Sequence, residues 1–410
     1  MARRAGGGSA ARHIAWMCAA HVVSMPGFAA YSTLLPRLQQ EWETNNSQAG
    51  FVSGAFFAGY MAAVPLLTGL TDRVDARRVY LSSCVMLTIA LGAFALLAQG
   101  FVTAALCQAA VGAGFAGTYM PGLRVLTDNT SGPAQSRAVS FYTAIFGLGT
   151  SVSIVVSGLV ADTWGWRTAF AVAAIGPVIA AAMVSLGMPP SHCHAGPPVR
   201  GAPLLDFRPV LRARPVWPYI LGYAVHCWEL FGSRSWLVAY CFFAQGAQVQ
   251  GNSSPWLWSP VAIAAIANLP GPPASIVGNE FALRLGRGRL IASVMIVSGI
   301  LTGVLGFVSH LPWFAIAGLA MLHMTLVMGD SSALTAGMVM NSPPEARGAT
   351  MAIHSMLGFG AGFASPLVFG AVLDLAGGNA SATAWSAAFV TLGAGAVIAP
   401  WLLGFARSPR

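Results

Sequence analysis

Apolar residues run along this chain in blocks of about 20, the length at which a helix crosses about 30 Å of hydrocarbon. They do not alternate with polar residues as on a half-buried strand, so a membrane β-barrel is excluded. The blocks predict helical spans at 14–36, 48–70, 79–98, 102–126, 136–160, 167–187, 215–243, 258–282, 290–309, 313–340, 350–373 and 385–405, twelve in all. One long polar break, 188–214, rich in Pro and Arg, separates two sets of six spans. The expected fold is an all-α polytopic membrane protein of two six-helix bundles, 1–187 and 215–410, joined by a linker at 188–214.

Composition agrees with this pattern. Of 410 residues only 8% are charged and 56% are hydrophobic, which excludes a soluble globular chain. All 21 basic residues are arginine, and the net charge of +9 would suggest nucleic acid in a soluble protein. Their placement gives another reason. With the N-terminus inside, seventeen arginines (3, 4, 12, 73, 77, 78, 137, 200, 208, 212, 214, 284, 287, 289, 347, 407 and 410) fall on the cytoplasmic side, and only Arg37 and Arg167 fall outside. The basic excess is therefore topological, and no nucleic-acid partner is expected. Both termini are expected in the cytoplasm, in the inner membrane of a bacterium. Arg3, Arg4 and Arg12 precede an apolar run that continues to Leu35 without a small-residue cleavage site, as expected for an uncleaved first span. The six cysteines are scattered and suggest neither a disulfide framework nor a zinc site. Ser191-His192-Cys193-His194 lacks the spacing of a closed metal site, so no metal and no cofactor are expected.

The halves echo each other at a spacing near 211 residues. Arg73 and Arg284 follow the second and eighth spans, Arg137 and Arg347 open the fifth and eleventh, and Asp162 and Asp374 close those same spans. The loop after the second span reads Gly69-Leu-Thr-Asp72-Arg73-Val-Asp75-Ala-Arg77-Arg78, with a second copy at Leu283-Arg284-Leu-Gly286-Arg287-Gly-Arg289. With Asp162-Thr-Trp-Gly-Trp166-Arg167 and Pro344-Glu-Ala-Arg347-Gly, these residues resemble the major facilitator superfamily along essentially the whole chain. The resemblance implies two rocking bundles around a midplane cavity lined by spans 1, 4, 7 and 10. The chain departs from the family's pattern at Gln108, where an arginine precedes the Gly-x-Gly, and in the fifth span, which has no proline after Gly149. Asp72 at a helix C-terminus needs cationic neighbours, so Asp72, Arg73, Arg77, Arg78 and Asp128 are expected as a conformational latch. The alternative is a solvated loop that only sets topology.

Charges in hydrocarbon cost at least about 2.5 to 3.5 kcal/mol each on insertion scales, which marks the remaining ones as candidate working groups. His21 lies in span 1, Arg124 in span 4, His226, Glu229 and Arg234 in span 7, and His323 and Asp330 in span 10; only His354 lies elsewhere, in span 11. Glu229 is expected as the main proton-binding carboxylate, with Asp330 as the second. Arg234, His226, Arg124, Tyr119, His323 and His21 are expected to meet substrate. On a straight helix Glu229 and Arg234 project about 140° apart and do not pair directly; either a kink at Gly232 joins them or each faces a different partner. His323 and Asp330, seven residues apart, are expected on one face of one helix. Plainer roles stand beside these: a structural ion pair for Glu229, helix packing for the histidines, and a local i, i+4 pair with Asp128 for Arg124. Together these features predict a secondary active transporter, not an enzyme, that moves a small anionic or zwitterionic solute by proton-coupled alternating access. Its partners are the solute, protons and the lipid bilayer, and it is expected as a monomer. Proton-driven efflux of drugs or metabolites is the alternative within transport, and a sensor retaining the transporter fold is the alternative outside it.

Overall fold

The computed structural model describes residues 5–71, 73–131, 133–190, 207–246, 256–343 and 347–407, and among these residues it is helical with no strands. In chain order the helices are α1 (Ala5–Ser24), α2 (Ala30–Trp42), α3 (Asn46–Leu70), α4 (Ala76–Leu97), α5 (Phe101–Asp128), α6 (Pro133–Trp164) and α7 (Trp166–Gly187). They continue with the single turn α8 (Arg208–Arg212), then α9 (Trp217–Gly246), α10 (Pro260–Ala267), α11 (Gly271–Leu285), α12 (Arg287–Phe307), α13 (Trp313–Val327), α14 (Ser331–Asn341), α15 (Arg347–Leu375) and α16 (Ala382–Leu402). Ten helical stretches among the described residues are long and apolar enough to cross a membrane, with α10–α11 and α13–α14 each counted as one stretch. The remaining long helices are α1 and α2 in the first predicted span, and α9, which carries Glu229 and Arg234.

Helix α4 is apolar on both faces, as hydrocarbon requires. In α4, Tyr80, Cys84, Leu87, Leu91 and Phe94 are buried, while Val85, Ile89 and Leu96 are exposed. Local signals set the ends. The Asp75 carboxylate accepts the backbone N–H of Arg77 to cap α4, and Ser381 caps α16 through the N–H of Ala384.

Three predicted spans differ from expectation because their helices break near the middle. The first breaks at 25–29, where Pro26 has no N–H to donate; the Pro26 carbonyl accepts the Ser153 hydroxyl at 2.6 Å, and Ser153 Oγ accepts the N–H of Ala29 at 2.9 Å. The eighth breaks at Asn268–Pro270, ahead of the Pro272-Pro273 pair that opens α11. The tenth breaks at Met328–Asp330 around Gly329, whose carbonyl lies so close to Gly278 of α11 that no side chain fits between them. Broken backbone inside a membrane survives only where protein or a cavity covers it, so each break marks a place of close packing or of use.

The chain forms two compact units, Met1–Leu34 with Ala58–Leu204, and Leu35–Phe57 with Leu205–Arg410. In the first, α4 packs on α5 and α7, with Phe94 stacked on Phe170 at 3.9 Å between centroids. In the second, α9 packs on α15, where Trp236 donates to the Pro366 carbonyl at 3.0 Å, and α12 packs on α16. The second unit also contains a seam of small residues. Gly50 and Gly54 of α3 face the carbonyls of Pro366 and Phe363 on α15, and Gly370 faces the Asn46 carbonyl.

A methyl group at Gly50 would collide with the Pro366 carbonyl, whereas one at Gly92 meets nothing within 4 Å. Gly50→Ala is therefore expected to lower stability by about 1–3 kcal/mol through overpacking. Gly92→Ala should leave it unchanged or raise it slightly, as alanine does in a helix. Thermal unfolding of the purified variants in one detergent checks the contrast.

Candidate functional site

In the second unit α9 presents its polar residues to three different neighbours. Glu229, only 2% exposed, turns to α12, where Thr302 donates to Oε1 at 2.6 Å and Ser298 donates to Oε2 at 3.1 Å. Thr302 Oγ1 also lies 3.1 Å from Nδ1 of His323, and His323 Nε2 lies 3.0 Å from the Ser233 hydroxyl. With Glu229 ionised, a neutral imidazole satisfies this chain: Thr302 gives its single hydrogen to Glu229 and accepts from Nδ1–H, and Ser233 donates to Nε2. Among the described residues no cation bonds to Glu229. The expected acid is thus deeply buried among hydroxyls, and it is not a structural partner of an arginine.

The breaks in the eighth and tenth spans supply the other two neighbours of α9. Asn268 ends α10, donates to the Ala264 carbonyl at 2.9 Å, and through Oδ1 accepts Nε of Arg234 at 2.9 Å. Arg234 has no carboxylate partner among the described residues, and Glu229 and Arg234 face apart, as their spacing requires. Asp330 sits at the position that caps α14, yet its side chain makes no cap bond. It turns instead to His226, with Oδ1 and Nδ1 2.8 Å apart and both side chains almost wholly buried. The N-terminal N–H of Ser332 is met from α11 by Ser275 Oγ at 3.2 Å. The break also separates His323 from Asp330, so they do not share one continuous helix: His323 joins Glu229, and Asp330 joins His226. His354 stacks on Tyr223 at 3.9 Å, Tyr223 lies 5.8 Å from His226, and Gly358 leaves room for the Tyr223 ring.

In the first unit Arg124 takes the local role, with Nε donating to Asp128 at 2.9 Å and its side chain 41% exposed. His21, on α1, lies among Tyr142, Tyr119, Phe146 and Phe115 at 4.7, 5.3, 6.1 and 6.4 Å between centroids. Of the expected latch, Asp72 lies outside the described residues. Arg73 and Arg78 are exposed, Arg77 donates to the Ser185 carbonyl, and Asp128 is engaged by Arg124. The Ser191–His194 run and most of the 188–214 linker also lie outside the described residues.

Two groups of partners were not singled out from the sequence. Ser298 and Thr302 carry no charge and look like ordinary helix residues, although four residues apart they share the face that meets Glu229. Asp374, noted only as the end of a span, closes on the N-terminus of α3 within the second unit. Its Oδ1 accepts Asn46 N and Nδ2 at 3.0 and 2.8 Å, and its Oδ2 accepts Ser47 N and Oγ at 2.8 and 2.6 Å. A carboxylate disfavoured at its own helix C-terminus is thereby stabilised by the free N–H groups of another helix.

Membrane helices interrupted at buried polar side chains are a recurring feature of transporters. A sequence model of the Major Facilitator Superfamily matches residues 17–358, and the chain belongs to that family. Solved structures of transporters share the fold. A mutant of the nucleoside transporter NupG has a TM-score of 0.76 at 16% identity, over 96% of this chain and 99% of that one. A bacterial homologue of the human lysosomal transporter Spinster, inward-facing and occupied, has a TM-score of 0.74 at 15% identity over 97% and 96%. The POT family transporter PepTSo has a TM-score of 0.72 at 15% identity over 97% and 98%. At such identities the likeness is one of fold alone. Multidrug resistance protein Stp of Mycobacterium tuberculosis (strain CDC 1551 / Oshkosh) is 27% identical over 138 residues, which is 33% of this chain and only 25% of that protein's length.

Thr302→Val keeps the shape of the side chain but leaves Glu229 Oε1 and His323 Nδ1 without their shared partner. It is expected to cost about 1–3 kcal/mol for each orphaned group. Ser298→Ala should cost less, because only one carboxylate oxygen loses a longer bond. Unfolding midpoints of the two variants, compared in the same lipid mixture, check the order.

Proposed function

We propose that this member of the family moves a small anionic or zwitterionic solute by alternating access, coupled to protons, with Glu229 as the main coupling carboxylate. The Asp330–His226 pair is the second proton-holding group, and Arg234 binds the negative charge of the solute. The observation that carries the reading is the surroundings of Glu229: two hydroxyl donors, a histidine behind them and, among the described residues, no cation.

That arrangement accommodates both protonation states. When Glu229 is ionised, Thr302 donates to it. When Glu229 carries the proton it donates to Thr302, whose hydrogen turns to the Ser298 carbonyl, 2.9 Å away. Neither state orphans a buried group, so the proton is gained and lost without rebuilding the helix contacts. An ionised carboxylate buried without a cation costs several kcal/mol, and a conformational change that alters its access to water therefore shifts its proton occupancy. Arg234 is complementary to this. A guanidinium held by one neutral amide keeps most of its donors free for a carboxylate or phosphate. The distribution of arginines supports cytoplasmic termini in a bacterial inner membrane.

Proteoliposome uptake from a panel of labelled carboxylates and amino acids, with and without an imposed pH gradient, tests the reading. Faster initial rates under the gradient are expected, with gradient-driven accumulation lost in Glu229→Gln. Equal rates under both conditions would remove proton coupling, and unchanged accumulation in Glu229→Gln would remove the assigned role. Arg234→Gln is expected to raise KM for anionic solutes about tenfold or more, the loss of a charged hydrogen bond. Efflux of lipophilic compounds is the second reading, favoured by the partial likeness to Stp. Under that reading a deletion strain becomes drug-sensitive, and the panel of small anions shows no saturable uptake.

A further inference from the structure

His21 is fully buried, and neither Nδ1 nor Nε2 has a hydrogen-bond partner. An imidazole offers one donor and one acceptor, and leaving both idle away from water costs more than any packing role requires. Other buried side-chain atoms also lack a partner, the Tyr80 hydroxyl, Ser83 Oγ and His354 Nδ1 among them, but of the described residues only His21 has both ring nitrogens buried without one; nearby, Ser24 donates to the His21 carbonyl and Tyr142 to the Thr118 carbonyl. The ring of His21 is answered only by aromatic faces. Tyr142 stacks on it, Tyr119, Phe115 and Phe146 surround it, and Phe28, from the break itself, closes on Phe115 and Phe146 at 5.3 and 4.9 Å. Among the described residues no ionised side chain hydrogen-bonds into this cage.

The cage is not sealed. Phe28, Tyr119 and Phe146 are each only partly buried. A cavity of about 1080 Å³ opens farther along the same helices, lined on α1 by Ile14, Ala15 and Cys18 and on α6 by Phe141 and Ile145, with Asp128 and Arg137 also in its wall and none of the cage residues. Ile14, Cys18 and His21 share one face of α1, and Ile145 adjoins Phe146, so the cage stands one turn beyond this apolar wall.

We infer that His21 and its aromatic cage form a binding site for a flat aromatic ring bearing an N–H group, which slides between the Tyr119, Phe146 and Phe28 faces and donates to the free imidazole nitrogen. The aromatic faces supply stacking area without charge, and the imidazole supplies direction. A buried polar group that waits for a ligand donor discriminates strongly against an isostere lacking that donor, because the isostere leaves it unpaired. The site deepens the transport reading by naming a feature of the solute, yet it rests on the first unit alone. Its failure would leave the roles of Glu229 and Arg234 untouched.

Indole and indene form a matched pair of probes, with the same shape and with or without the N–H. Equilibrium dialysis against the full-length protein in lipid nanodiscs, with empty nanodiscs subtracted, measures both. Saturable binding of indole is expected, about tenfold tighter than that of indene, the worth of one hydrogen bond to an otherwise unpaired buried group. His21→Phe should bring indole down to the level of indene and leave indene unchanged, while Tyr119→Leu should weaken both. Equal binding of indole and indene to the unaltered protein, or no saturable indole binding at all, would overturn the inference even if His21→Phe fails to fold. Unchanged preference for indole in a folded His21→Phe variant would overturn it as well.

Discussion

Hydrocarbon offers no hydrogen bonds, so each polar group carried into a membrane must find its partner within the protein, and this constraint organises the whole structure. The spans of greatest functional interest break it and then repair it. Where the first span breaks, Ser153 bonds both sides of the gap. Where the eighth breaks, Asn268 caps one half-helix and holds Arg234. Where the tenth breaks, Asp330 turns from its capping position to His226. Two polar side chains of α9, Arg234 and His226, are therefore held at the interruptions of its neighbours, while Glu229 is held by the unbroken α12. A break held together by a few hydrogen bonds is also where helices can change their arrangement at small cost, which suits the proposed alternation between states.

The carboxylates divide into two kinds. Asp128 and Asp374 have strong permanent partners, a guanidinium in one case and a helix N-terminus in the other. Such groups hold elements in place. Glu229 has hydroxyls alone, and a hydroxyl can reverse its role between donor and acceptor. The same geometry that makes Glu229 a poor structural strut makes it suitable for a proton that comes and goes. The Gly50–Gly54 seam and the Asp374 clasp bind α3 to α15 at adjacent levels, so that contact combines close backbone packing with a charged cap.

Much of this was legible in the sequence. Block length gave the helices, and scarcity of charge drew attention to Glu229 and Asp330, which the structure buries. Of the two arrangements open to Glu229 and Arg234, direct pairing through a kink or separate partners, the structure has the second. The breaks were harder to read. Pro26 and the proline run after Asn268 were visible, yet hydropathy averages across a break because the flanking residues stay apolar. At Met328–Asp330 no proline signals the interruption, so Asp330 and His323 looked like neighbours on one face. Ser298, Thr302 and Asn268 were passed over because a neutral polar residue in a helix carries no sign of its partner. His21 was visible as a histidine, but its lack of any partner is a property of the packed structure only.

The central claim is that Glu229 is the group that gains and loses the coupling proton. Infrared difference spectroscopy of the purified protein, stepped in pH, reads carboxylic-acid protonation directly. The account predicts a protonated-carboxyl band that titrates in the unaltered protein, loses its main component in Glu229→Gln while the Asp330 component remains, and persists in full in Asp374→Asn. A titrating band that survives unchanged in Glu229→Gln would contradict it.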